Sequence, residues 1–304
     1  MFAILMTLWP LFALILLGCI LKRRPVFDAG FWNGAEKLNY YILFPALLIN
    51  SLAVAPLDNP QLPKLAIALV IMLGLATAAF AVVKRLRGIP TAEFGVLLQG
   101  AIRFNTYLGL SIVNDFYGPS GVAVAAVILA VLVPLCNIIS VVALSEFQQL
   151  SLRRLLLPIL TNPLIISCII GMLLNVTGAG LPYNTGQFAR LLAGASLPLG
   201  LLCVGAALQV ATIRYSALKI SLNSLVRLCV MPLLAITVAT VMGLTQLEYQ
   251  LFVIFFAIPT APTAYILSRQ LGGDSQLMAG IITFQTMVAV LTLPVVLTMI
   301  TRIT

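Results

Sequence analysis

The sequence contains no histidine, and only 8% of its 304 residues are charged. The first absence excludes histidine proton relays, histidine-bound zinc and Ser-His-Asp catalysis. The second excludes a soluble globular domain, where about a quarter of the residues carry charge. Acids are scarcer than bases, eight against seventeen Lys and Arg. All eight fall in loops or near the ends of apolar runs, so no buried carboxylate relay is evident. The cysteines Cys19, Cys136, Cys168, Cys203 and Cys229 all lie inside apolar runs without paired spacing. They form neither a disulfide framework nor a metal site, and read as small core residues. No Walker A motif occurs and no loop could house a nucleotide domain, which argues against direct use of ATP. No catalytic constellation is visible, and the chain is not read as an enzyme.

What is present is apolar. Hydrophobic residues make up 62% of the chain and the mean hydropathy is +1.13. A helix needs about 20 apolar residues to cross a hydrocarbon core of about 30 Å, whereas a barrel would show short alternating segments. Ten apolar segments can be placed, near 2–21, 34–54, 64–83, 91–117, 120–143, 155–176, 186–208, 219–243, 248–271 and 275–300. The connections are short and several carry turn residues, as at Pro56-Leu57-Asp58-Asn59-Pro60, Gly118-Pro119 and Gly272-Gly273-Asp274. Residues Phe2 to Leu21 have no basic stretch ahead of them and Lys22, Arg23 and Arg24 behind, the pattern of a first span rather than a cleaved leader.

The bases test this segmentation, because a wrong span count would scramble their sides. Eleven of the seventeen (Lys22, Arg23, Arg24, Lys84, Arg85, Arg87, Arg153, Arg154, Arg214, Lys219 and Arg269) follow odd-numbered spans. Only Lys64 and Arg302 lie on the other side. The surplus of positive charge therefore reads as membrane topology, with no need of nucleic acid as a partner. It predicts both termini outside the cytoplasm, in a multi-pass protein of a bacterial inner membrane.

The chain also repeats itself. Pro10 and Pro163, Gly18 and Gly171, Lys37 and Arg190, and Pro45 and Pro198 are each 153 residues apart. Later the offset becomes 155, as between Glu93 and Glu248 or Gly118 and Gly273. Two copies, 1–150 and 151–304, each with five spans, must lie upside down relative to one another, an architecture found in secondary transporters. The expected fold is thus all-α: ten transmembrane helices in two inverted five-helix repeats forming one membrane domain.

Within the first copy, Arg103 lies about 12 residues into span 4, roughly 18 Å along a helix and near mid-bilayer. A guanidinium there costs several kcal/mol or more unless a counter-charge, carbonyls or a wet cavity receive it. It can brace the fold through carbonyls, snorkel, take part in gating, or offer its planar fork of donors to a passing anion. Span 9 is the counterpart and carries Pro259 and Pro262, which remove two amide donors and predict an unwound centre beside Thr260 and Thr263. Asn50, Asn137 and Gln285-Thr286 are further polar groups inside apolar runs, where interhelical hydrogen bonding is the ordinary explanation. Lys37, Arg190 and Arg227 lie within about eight residues of a span end and are expected to snorkel. The small-residue stretch Gly121-Val122-Ala123-Val124-Ala125-Ala126 permits close packing or dimerisation.

The Pro45 span, the segment Arg103-Phe104-Asn105-Thr106-Tyr107-Leu108-Gly109-Leu110, the Gly118 turn, Pro259 to Tyr265, Gly272-Gly273-Asp274 and Thr292-Leu293-Pro294 together resemble the auxin efflux carrier family in its short bacterial form. The resemblance spans essentially the whole chain. It implies crossed, unwound helices 4 and 9 meeting at a central anion site, scaffold and transport parts that move relative to one another, and cargo such as auxins, malonate or malate. It also suggests a homodimer. One departure is that span 4 has no proline between Pro90 and Pro119, so its opening is assigned to Asn105, Thr106 and Gly109. The long loop that plant members carry between spans 5 and 6 is absent.

The leading expectation is a secondary transporter of small mono- or dicarboxylates, or auxin-like acids, by an elevator-like form of alternating access. Arg103 supplies charge, and Asn105, Thr106, Thr260 and Thr263 supply hydrogen bonds. Tyr107, Asn50, Asn137 and Gln285 complete the candidate substrate set; Gly109, Pro259 and Pro262 open the helices. No metal or cofactor is expected, and coupling to H⁺ or Na⁺ stays open because carbonyls at a broken helix can bind Na⁺. The rival readings are a Na⁺-coupled symporter of the bile-acid type and a non-transporting membrane sensor or scaffold.

Overall fold

The computed structural model describes residues 2–55, 60–145, 157 and 160–303. The expected turn at 56–59, the bases Arg153 and Arg154, and the boundary between the two copies at 150–151 lie outside the described residues. Among the described residues every regular element is helical. In chain order they are α1 (Phe2–Leu21), α2 (Ala29–Leu38), α3 (Phe44–Ala53), α4 (Leu62–Arg87), α5 (Thr91–Ile102), α6 (Thr106–Leu144) and α7 (Pro163–Val176). There follow α8 (Thr185–Ala207), α9 (Ala217–Leu225), α10 (Met231–Val241), α11 (Gln246–Ala257), α12 (Thr263–Gln270) and α13 (Ser275–Ile303). A π-helical turn, Asn39–Leu43, joins α2 to α3, and another, Val226–Val230, joins α9 to α10.

Among the described residues six stretches are long and apolar enough to cross a membrane: Phe2–Leu21, Leu62–Arg87, Thr91–Leu144, Thr185–Ala207, Ala217–Val241 and Ser275–Thr301. The helices Pro163–Val176 and Gln246–Ala257 are apolar but shorter. Local chemistry explains many of the ends. Asp28 accepts a hydrogen bond from the Phe31 amide at the start of α2, and Asn162 accepts one from Leu164 at the start of α7, each satisfying an amide that the first turn leaves without a partner. Helix α4 closes on Lys84, Arg85 and Arg87, which oppose its negative end, and then on Gly88 in the left-handed region. Gly118 takes φ 60° and ψ −156°, a conformation costly for any residue with a Cβ, and so kinks α6 at the expected Gly118-Pro119 turn.

Burial sorts the helices. The exposed faces of α1, α4 and α8 carry large apolar residues such as Trp9, Leu16, Val82, Leu86, Phe188 and Leu191. In contrast, all of α11 from Glu248 to Ala257 is buried, as is most of α5 from Phe94 to Ile102. A helix that is apolar all round belongs at the centre of a protein. Because lipid is as apolar as leucine, it is close packing and hydrogen bonds that hold such helices together. Close packing is visible where a Cβ on Gly18 would lie 2.1 Å from the Leu202 carbonyl oxygen of α8, and one on Gly171 would lie 2.8 Å from Leu52 Cβ and 3.2 Å from Ile49 Cα of α3. Several connections share one face: Lys219 and Glu93 form an ion pair at 2.8 Å, and the Asp274 amide bonds to the Ala92 carbonyl at 3.3 Å.

Candidate functional site

Two helices break at the centre. Helix α5 stops at Arg103 (φ −76°, ψ 156°) and α11 stops at Ile258 (φ −73°, ψ 151°). These two positions are 155 residues apart, the offset of the sequence repeat. The extended segments that follow touch, with the Asn105 amide donating to the Pro259 carbonyl at 2.8 Å. Helix α6 restarts at Thr106 under an Asn105 cap, whose Oδ1 accepts from the Leu108 amide at 3.2 Å. Helix α12 restarts at Thr263, and Pro259 and Pro262 both fall in the non-helical stretch before it. Gly109, expected to help open span 4, is instead helical: its amide bonds to Asn105 O at 2.9 Å. What its missing side chain provides is room, since a Cβ there would lie 2.8 Å from Ile258 Cδ1.

On one side of this crossing α5 and α11 present the last carbonyls of their helices. Arg227, expected to snorkel, is fully buried among them. Its Nε donates to Ile258 O at 2.7 Å, one terminal nitrogen to Ala101 O at 2.8 Å and the other to Phe255 O at 2.8 Å. One cation thus satisfies carbonyls of both broken helices and opposes both negative ends. Depth was misjudged in the expectation; the π-helical turn that carries Arg227 packs against both breaks, leaving the side chain no path to water. Gln285 and Thr260 also lie here. Thr260 Oγ1 donates to Gly100 O at 2.8 Å, the Thr260 amide donates to Gln285 Oε1 at 2.9 Å, and Gln285 Nε2 donates to Gly100 O at 3.0 Å and to Asn223 Oδ1 at 3.2 Å. Asn223 Nδ2 in turn donates to Leu97 O at 2.7 Å. Thr260 and Gln285, expected as substrate ligands, are fully buried braces turned away from the cavity, because carbonyls without helical partners claim their polar atoms.

On the other side the crossing opens into a cavity of about 120 Å³. It is lined by Arg103, Asn105, Thr106, Tyr107, Asn137, Pro262 and Thr263, seven of the expected residues. Asn50 is not part of that lining. Arg103 donates to Asn137 Oδ1 at 2.9 Å and to Thr263 Oγ1 at 3.2 Å, both neutral acceptors. Its charge therefore stays uncompensated by any ion pair among the described residues. Asn105 is fully buried, and its Nδ2 has no hydrogen-bond partner among the described residues. The N-termini of α6 and α12 both begin at this wall, and first-turn amides with their partial positive charge favour an anion. A cation without an ion pair and two helix N-termini thus give this wall of the cavity positive electrostatic character.

The sequence reading missed four cavity residues of consequence. Glu36 and Tyr40 come from α2 and the turn after it, Asn162 from the start of α7, and Cys203 from α8. Glu36 and Asn162 lie near span ends, where polarity is ordinary and carries no signal. Arg227 did carry one: an arginine eight residues into a 25-residue apolar run invites the same question as Arg103.

Comparison with known proteins points to membrane transport. Residues 145–297 match a family model described as membrane transport protein. A protein of Methanothermobacter thermautotrophicus described as an uncharacterized transporter is 24% identical over 295 residues, which cover 95% of each chain.

Proposed function

Since the chain belongs to the membrane transport protein family, that of the auxin efflux carriers, we propose that it is a secondary transporter carrying a small organic anion through the crossing of its two broken helices. The observation that carries this reading is the cavity itself, where Arg103 and the starts of α6 and α12 converge. An arginine without a counter-charge at that depth is costly, and an anion relieves the cost. A planar guanidinium fork suits a carboxylate, so the cargo proposed is a mono- or dicarboxylate such as malonate or malate, or an auxin-like acid.

Ten spans in two inverted repeats, 1–150 and 151–304, explain several features together. The helices break at corresponding positions, Arg103 and Ile258. Gly18 packs against Leu202, and its repeat mate Gly171 packs near Ile49, 153 residues before Leu202. Alternating access then amounts to movement of the part that carries the crossing against the rest. Both termini lie outside the cytoplasm of a bacterial inner membrane in this proposal, since the bases cluster after odd-numbered spans.

A Na⁺-coupled mechanism of the bile-acid type has less support. The carbonyls that would receive Na⁺ at the broken ends are already bonded to Arg227, Gln285 and Thr260, and a buried guanidinium repels a second cation. The test is counterflow of labelled malonate, malate and an indole carboxylate in proteoliposomes of the purified protein. Exchange of a small carboxylate that is lost in Arg103→Ala, with that variant still folded, is the expected outcome. Exchange equal to wild type in Arg103→Ala overturns the assigned site.

A further inference from the structure

Among the described residues Glu36 is the only acidic one lining the central cavity, and it also lines a second space of about 710 Å³. Glu36, Cys203 and Pro262 line both spaces and so stand between them. The wider space is a basic vestibule, with Lys22, Arg23 and Arg24 from the turn after α1 and Arg269 from α12. Asp28 and Tyr265 are the other titratable groups on its wall. On the cavity side the titratable and charged groups are Tyr40 from the turn after α2, Tyr107 and Cys136 from α6, Cys203 from α8 and, at the crossing, Arg103. The Glu36 carboxylate makes no hydrogen bond and no ion pair with any described residue. Glu93, by contrast, is held by Lys219.

This placement conflicts with an anion pathway unless the carboxylate changes state. Cationic walls draw an anion into the vestibule, and Arg103 with the two helix ends attracts it into the cavity. Between them it must pass an acid that no cation neutralises. Ionised, Glu36 repels the cargo; protonated, it presents an O–H donor to it. We propose that Glu36 is a proton-binding site and that its proton travels with the organic anion, which makes transport proton-coupled. The proton arrives from the vestibule onto a Glu36 carboxylate oxygen, the anion occupies the Arg103 cavity, and the same O–H bond breaks to the opposite compartment once the site has reoriented. No electron transfer is involved. The proposal rests on the anion-carrier reading for its cargo, but the proton site can be tested without any cargo.

The full-length protein in liposomes serves for both tests. Infrared difference spectra between acidic and alkaline buffer, taken without substrate, are expected to show a carboxylic-acid carbonyl band in wild type that is missing from Glu36→Gln and shifted in Glu36→Asp. A wild-type spectrum lacking any band that Glu36→Gln removes overturns the proposal whether or not a carboxylate is carried. With labelled malonate and malate as probes, an imposed pH gradient is expected to drive accumulation in wild type, and a protonophore to abolish it. Glu36→Gln is expected to lose accumulation while still exchanging label, at a rate that no longer varies with pH; Glu36→Asp restores the pH response. Accumulation by Glu36→Gln equal to wild type, or wild-type exchange indifferent to the gradient, overturns the coupling. A Glu36-dependent band without counterflow of either acid upholds the proton site and overturns the choice of cargo instead.

Discussion

Arg103 and Arg227 stand on opposite sides of one crossing, and the same side chain does different work in each place. Arg227 is surrounded by carbonyl oxygens at helix C-termini, and its donors are all used on main chain. Arg103 stands by helix N-termini, where the main chain offers partial positive charge, and it bonds only neutral side chains. A cation facing carbonyl ends is satisfied by the fold; a cation facing amide ends needs something from outside. Helix polarity therefore separates the brace from the proposed receptor, a distinction that burial alone does not make.

Substitutions can break this contrast, and the largest effect belongs to Arg227. Replacing it with Met strands three buried carbonyls, a loss of about 3–5 kcal/mol by analogy with broken buried pairs. The expected result is a collapse of thermal stability in detergent, measured by the loss of a monodisperse peak on heating. A variant as stable as wild type would show that the two breaks do not depend on that cation. Next comes Arg103→Ala. Loss of charge-assisted hydrogen bonds to an anion costs about 1.5–3 kcal/mol, or roughly a 10- to 100-fold rise in the Kd for malonate, with little change in melting. Equal losses of stability in both arginine variants would erase the distinction between the two sides.

Asn105→Ala sharpens the comparison because Asn105 belongs to both roles. Its Oδ1 caps α6, while Asn105 lines the cavity with a buried Nδ2 that has no partner among the described residues, so a stability loss of about 1 kcal/mol should accompany weaker malonate binding in calorimetry. Unaltered binding would remove Nδ2 from the receptor. Thr263→Val is the mildest, since it deletes one hydrogen bond to Arg103; about 0.5–1.5 kcal/mol, a several-fold rise in Kd, is expected from titration of the same ligand. A larger effect than that of Arg103→Ala would mean that the hydroxyl, and not the guanidinium, meets the anion.

Much of the helix placement was legible before any coordinates, because an apolar run must be long enough to cross lipid and short loops must separate such runs. The run 2–21 coincides with α1, and the proline pair of span 9 lies in the non-helical stretch that follows α11. The break in span 4 has no proline to announce it. It forms because Asn105 caps a new helix and its amide finds Pro259 O on the other segment, a partner 154 positions away. Polar residues within spans were visible, but which of them faces the cavity was not. Thr260 and Thr263 are three residues apart; one is sealed against Gly100 O and the other faces the cavity.

Composition, run length and the internal repeat suffice to make this an all-helical membrane chain with a charge and two interruptions deep inside it. Those properties follow from transfer energies and backbone chemistry, which act residue by residue. The surroundings of the two arginines, the withdrawal of Thr260 and Gln285 into the brace, and the position of Glu36 between two spaces were decided only by tertiary packing. Each depends on which end of which helix a side chain meets, and that vector quantity is set by segments distant in the chain.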